Sequence, residues 1–110
     1  MAEDMLVADG AVRPVGSVQQ VLGALHDPVR LEIVRRLYNA DAPLQCGALY
    51  DGINKSTATH HFRILREAGV LERLVLDGAT CQRLRRDEVD AAIPGLLAAV
   101  VGGLNSQGRR

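Results

Sequence analysis

At 110 residues the chain has the length of one domain with one core, which excludes a multi-domain enzyme with a separate lid. Hydrophobic residues make up 47% and charged residues 24%, the balance of a folding globular chain, and with aromatics at 3% and no Trp the core must be Leu, Val, Ile and Ala, which disfavours an all-β fold. Thirteen basic and thirteen acidic residues cancel, so any electrostatic signal has to be sought region by region.

Residues 1–16 mix acids with Gly10, Pro14 and Gly16 without a sustained period and read as a flexible N-terminal arm. Ser17 then caps a helix in which Val18, Val21, Leu22 and Leu25 recur at helical spacing. Asp27-Pro28 stops it and starts the next, as N-cap and first helical residue. Leu31, Val34 and Leu37, with Ile33 beside them, make the buried stripe of that second helix, and Asn39 to Pro43 ends it. Leu44 to Tyr50 has room for two helical turns before the turn at Asp51-Gly52. Asn54 suits the N-cap of a helix over 55–68, with Ala58, Phe62 and Leu65 apolar at i, i+4, i+7 and Gly69 fitted to the left-handed C-terminal cap.

Opposite that stripe lie Lys55, Ser56, Thr59, His60 and Arg63, a face of small hydrogen-bonding groups and cations. Asp77-Gly78 between Leu71–Leu76 and Ala79–Leu84 is the two-residue signal of a β-hairpin. Asp87 caps a last helix carrying Val89, Ile93, Leu96, Leu97, Val100, Val101 and Leu104, which Pro94 should kink or split near Ile93. Its apolar positions cover more circumference than one small domain needs, which implies burial against a second chain. The domain is thus expected over 17–104, with 105–110 a flexible tail.

The charge is unevenly placed. Residues 53–86 hold seven basic residues (Lys55, Arg63, Arg66, Arg73, Arg83, Arg85 and Arg86) against Glu67, Glu72 and Asp77, a local footprint for phosphates. No apolar run reaches the roughly 18 residues that span a bilayer, so cytoplasmic residence is expected. Cys46 and Cys81 lack CxxC spacing and read as reduced, buried thiols. There is no Gly-Xaa-Ser-Xaa-Gly elbow and no phosphate loop, which excludes the common hydrolase chemistries and predicts a non-enzyme.

Two short helices joined around Asp51-Gly52-Ile53, followed by a hairpin, describe a helix-turn-helix with a wing. The runs DPVRLEIVRRL and STATHHFRILREAGV resemble the ArsR/SmtB family of winged helix-turn-helix regulators over roughly residues 17–104. The resemblance implies a mainly α fold with a β-hairpin wing, in the order ααααββα, and a homodimer on a pseudo-palindromic operator, responsive to a small effector or metal. DNA contacts then fall to Lys55, Ser56, Thr57, Thr59, His60, Arg63 and Arg83. Dimer contacts fall to Val18, Val21, Leu22 and Leu25 on the first helix and Ile93, Leu97, Val100 and Val101 on the last.

The family's thiolate metal site is not matched, since Gln45 and Gly47 stand at its cysteine positions. His60 and His61 are adjacent on a helix and diverge by about 100°. No cofactor is required on this reading, and a nickel or zinc ion would be held only weakly, by His26, Asp87, Glu88 or Asp90. The competing reading is a winged-helix protein-interaction module without specific DNA binding, against which stand Lys55, Arg63 and Arg66 on one helix.

Overall fold

The computed structural model describes residues 6–8 and 12–108, with side chains described from residue 12. In chain order the elements are β1 (Leu6–Ala8), α1 (Val18–Leu25), α2 (Pro28–Ala40), β2 (Leu44–Gln45), a 3-10 turn (Cys46–Ala48), α3 (Lys55–Glu67), β3 (Leu71–Leu76), β4 (Ala79–Leu84), α4 (Arg86–Ala92) and α5 (Leu96–Gln107). The helices start where short polar side chains can take their orphan N–H groups. Ser17 accepts from Gln20 N, Asp27 from Val29 N and Arg30 N, and Asn54 from Thr57 N. Burial pushes the Asp27 carboxyl up, but the backbone N–H groups of Arg30 and Val29 outweigh it and hold the acid below its ordinary value.

The hairpin β3–β4 turns at Asp77-Gly78, both at positive φ. It forms the middle of an antiparallel sheet in the order β1-β3-β4-β2. α1, α2, α3 and the base of the hairpin enclose a core of Val21, Ile33, Val34, Leu37, Leu65 and Val70, all fully buried, extended by Leu97 and Val101 of α5. Pro94 and Gly95 divide the C-terminal segment as expected, and α4 and α5 meet at a bend of 114°. Among the described residues no single helix is long and apolar enough to cross a membrane.

Several expectations are corrected. Part of the N-terminal arm is structured. β1 pairs with β3 (Leu6 with Leu76, Ala8 with Leu74), and further along Gly16 N donates to Ala68 O at 2.9 Å. Residues 1–5 and 9–11 of that arm lie outside the described residues. At the other end the helix passes Leu104 and runs to Gln107, so 105–107 are not a tail; residues 109–110 are not described.

The two turns of helix expected over 44–50 are instead a short strand and one 3-10 turn. The Leu44-Gln45 backbone pairs with Gln82-Cys81 of β4, which leaves three residues for helical turning, and Gln45 supplies no side-chain cap. α4 likewise begins at Arg86 with Arg85 at its N-cap, so Asp87 lies in the first turn rather than at the cap, still at the end where the helix dipole favours an acid.

On α2, Glu32 receives Arg35 Nε and Nη2 at 2.8 and 2.7 Å and Arg36 Nε at 2.7 Å. The hydrogen bonds from Arg35 lead in lowering its pKa to about 2. A folded-state pKa below the unfolded value of 4.5 contributes stability above that value and loses it as pH falls from there towards 2. Urea midpoints measured across that window should fall more steeply for the parent than for Glu32→Gln; parallel curves would dissociate the cluster from acid stability.

Candidate nucleic-acid interface

α3 is a two-sided helix. Ala58, His61, Phe62 and Leu65 face inward, while Lys55, Ser56, Thr57, Thr59, His60 and Arg63 are exposed. The spacing 55, 59, 63 and 56, 60 stacks five of these side chains, and Lys55, Ser56, Thr59, His60 and Arg63 together line one shallow surface concavity. Thr57 is exposed but outside it; its backbone N–H is taken by Asn54 Oδ1 at 2.8 Å. Thr59 Oγ1 donates to Lys55 O at 2.9 Å, so its hydroxyl proton is spent on the helix and the side chain offers an acceptor and a methyl group outward.

The face is held by its buried back. His61 Nδ1 accepts from Arg30 Nη1 at 3.0 Å and lies 3.8 Å from Asp27 Oδ1, while Arg30 Nε donates to Ala24 O at 2.6 Å. One arginine thus ties α3 to the junction of α1 and α2. Arg30 is not among the functional residues expected from the sequence. Only its adjacency to the Asp27-Pro28 cap hinted that it turns back onto the preceding helix.

The wing is less cationic than its composition implied. Cross-strand register sets Arg83 opposite Glu72, and Arg83 Nε donates to Glu72 and Nη2 to Glu88, both at 3.1 Å. Burial lowers the Arg83 pKa, and the two carboxylates more than offset it, so the guanidinium is held as an internal ion pair. Arg83 is thus not a free cation on the wing. Arg85, 8% exposed, donates to the carbonyls of Arg13 and Gly69 and braces the chain entry. Arg86 pairs with Asp41 at 3.2 Å and lies over the Tyr38 ring, 3.9 Å from its centroid. Arg73 remains exposed on β3.

The expected dimer residues also divide. Val21, Leu25, Leu97 and Val101 are buried within the chain itself, because α1 packs on α2 and α3 and α5 packs on α2. Within the single chain they are core residues. Val18 and Leu22 are 54% and 48% exposed, and Ile93 and Val100 are half-buried. The circumference of α5 that looked excessively apolar ends in Ala98, Ala99, Gly102 and Gly103 on its solvent side.

Among the described residues no three His, Cys, Asp or Glu side chains converge as a metal site within the chain. Of the expected weak ligands, Glu88 is engaged by Arg83, and Asp90 accepts from Gly95 N at 3.1 Å. Cys81 is buried, and burial first, then the neighbouring Cys46, pushes its thiol up, which keeps it protonated and unreactive.

Comparison with known proteins agrees with this architecture. A family model described as a helix-turn-helix domain matches residues 25–73, from the end of α1 to the start of β3. An uncharacterized HTH-type transcriptional regulator of Bacillus subtilis (strain 168), YceK, is 38% identical over 80 residues, which cover 71% of this chain and 80% of that protein. With exposed polar and cationic groups on α3, a buried opposite face and a hairpin beyond it, the chain belongs to the family of helix-turn-helix transcriptional regulators.

Proposed function

We propose that the protein is a sequence-specific regulator of the ArsR/SmtB type that acts, without enzymatic chemistry, as a homodimer on a pseudo-palindromic operator. The observation that carries the reading is the convergence of Lys55, Ser56, Thr59, His60 and Arg63 on one concavity of a helix whose other side is core. The short side chains Ser56, Thr59 and His60 approach base edges, Thr59 as acceptor or as methyl contact to thymine, and Thr57 flanks them. Lys55 and Arg63 hold phosphates on either side.

The test is binding to a site selected from random duplexes, compared with unselected DNA. His60→Ala should cost about 1–3 kcal/mol on the selected site and little on random DNA, whereas Arg63→Ala should weaken both and flatten the salt dependence by about 0.9 in slope. Equal losses on both DNAs for both variants would remove the division of roles.

Exposed apolar surface supports the reading of a homodimer. Val18 and Leu22 stand one turn apart on α1, and half-buried Ile93 and Val100 extend the apolar surface at the C-terminal helices. Two-fold pairing through α1 puts half-sites roughly 10 base pairs apart or a multiple of that. Light scattering at micromolar concentration should give twice the 11.8 kDa chain mass and the single chain for Leu22→Lys; a monomeric parent removes the operator symmetry with it.

The fold should need no metal, because two cysteines and three histidines spread over separate elements supply no closed tetrahedral set. Protein stripped by chelator should keep its helical circular dichroism and melting temperature. Unfolding on zinc or nickel removal would reverse that reading, and the weak response expected of nickel or zinc is confined to surface carboxylates or a site shared between copies.

A further inference from the structure

The inward side of α3 carries one titratable side chain, His61, 9% exposed beside Ala58, Phe62 and Leu65. Its Nδ1 lies 3.0 Å from Nη1 of Arg30. A guanidinium has donors only, so Nδ1 must accept, and the ring stands here neutral with its proton on Nε2. Arg30 also donates through Nε to Ala24 O at 2.6 Å, so one side chain joins α3 to the end of α1. The nearby anion is Asp27, whose Oδ1 is 3.8 Å from Nδ1, beyond hydrogen-bond reach, and already accepts from Val29 N at 2.8 Å and Arg30 N at 3.2 Å. The other elements packed on α3 bring few competitors. α1 has no titratable side chain, and His26 beyond it is exposed. On α2, Glu32 holds Arg35 and Arg36; β3 carries Glu72, held by Arg83, and the exposed Arg73. On α3 itself the exposed His60 has its ring centroid 5.9 Å from that of His61. A second proton on His61 can be taken only at Nδ1, the nitrogen that holds Arg30. That atom would turn from acceptor to donor and face a donor, cation against cation.

We infer that Arg30 and His61 are positioning residues for α3, and that a proton taken from solvent at His61 Nδ1 releases the bond between them and turns the ring's new N–H toward Asp27. α3 then keeps its apolar stripe in the core but loses its polar tie to the junction of α1 and α2, one residue from His60 of the outer face. The neutral ring belongs to the helix as DNA meets it, so DNA and the second proton weaken each other reciprocally, and affinity falls with pH. That consequence, though not the proton switch itself, rests on the DNA reading of α3. A proton on His60 acts in the opposite direction, since it adds a cation to the face that meets phosphates. The two adjacent histidines therefore have to be separated in the test.

The switch is read in the full chain without DNA, from the long-range nitrogen-to-proton NMR pattern of the His61 ring. At about pH 7.5 the pattern of a ring protonated at Nε2 alone is expected, and on acidification to about pH 5.5 the Nε signal of Arg30 should shift along the same curve as His61. A ring protonated at Nδ1 alone at the upper pH, a ring that stays neutral throughout, or an Arg30 signal that ignores the His61 titration would overturn the proposal, and none of these readings needs a variant. His61→Asn sets an amide oxygen where Nδ1 stands, keeping the acceptor without the proton, so the Arg30 signal should then stay in place across the range. DNA affinity is read separately by fluorescence anisotropy on the selected duplex, with His60→Gln as the common baseline that silences the outer ring. Affinity should fall about tenfold between the two pH values, and the double variant His60→Gln/His61→Asn should keep the upper value at both. An equal fall in the two proteins removes the coupling to DNA. Absence of DNA binding by the parent at either pH counts against the DNA reading alone, because the ring and Arg30 signals still decide the switch.

Discussion

Gly69→Ala should lower the unfolding free energy by more than about 2 kcal/mol, the largest loss expected for any change that adds a single methyl group. Gly69 sits at φ +78° after α3, where a side chain already costs roughly 1–2 kcal/mol. The added Cβ would then stand 2.3 Å from Pro14 O and 2.6 Å from Val15 Cα, both backbone atoms that no rotamer change can move aside. Displacing that segment also strains the bond of Gly16 N to Ala68 O and the two carbonyl contacts of Arg85. Gly78, at φ +79° in the hairpin turn with open space around it, is the control, and Gly78→Ala should cost only about 1 kcal/mol. Urea melts of the two variants separate backbone preference from steric exclusion. Equal midpoints would mean that the residues before α1 yield freely.

Leu65→Ala should cost about 2–5 kcal/mol, the range for opening a cavity at a fully buried position. Leu65 is 0% exposed and packs with the α1, α2 and hairpin residues that fix the pitch of α3. At a temperature where the variant stays folded, its affinity for DNA should fall less than that of His60→Ala, because Leu65 contributes nothing to the outer face. A variant that is stable yet loses DNA binding completely would show that α3 is held by fewer core contacts than the burial implies.

What was legible in the sequence is what short-range chemistry decides. Ser17, Asp27 and Asn54 cap helices because each offers an oxygen two or three residues ahead of a free N–H, and the expected hairpin strands coincide with β3 and β4 because Asp77-Gly78 admits a tight turn at positive φ. The outward face of α3 followed from helical spacing alone. What stayed hidden depends on partners distant in sequence. Arg83 reads as a free cation until register sets Glu72 opposite it. Arg85 looks solvated until the chain before α1 brings the Arg13 carbonyl to it. Val21 and Leu25 differ from Val18 and Leu22 only in which neighbour they meet, and a stripe of apolar residues does not record whether its cover belongs to the same chain. The strand at 44–45 was missed for the same reason, since two residues carry no period and only β4 makes them a strand.

The strand order β1-β3-β4-β2 bears on how copies of this protein meet one another at high concentration. The hairpin, whose two six-residue strands would be the natural template for strand addition, is flanked on both sides by its own chain: β1 occupies the β3 edge over three residues and β2 the β4 edge over two. Among the described residues the edge strands are only three and two residues long, a form of protection that sheets commonly obtain from very short edge strands. Fibrillar association through the wing is disfavoured at its origin, and encounters between folded molecules are left to their helices.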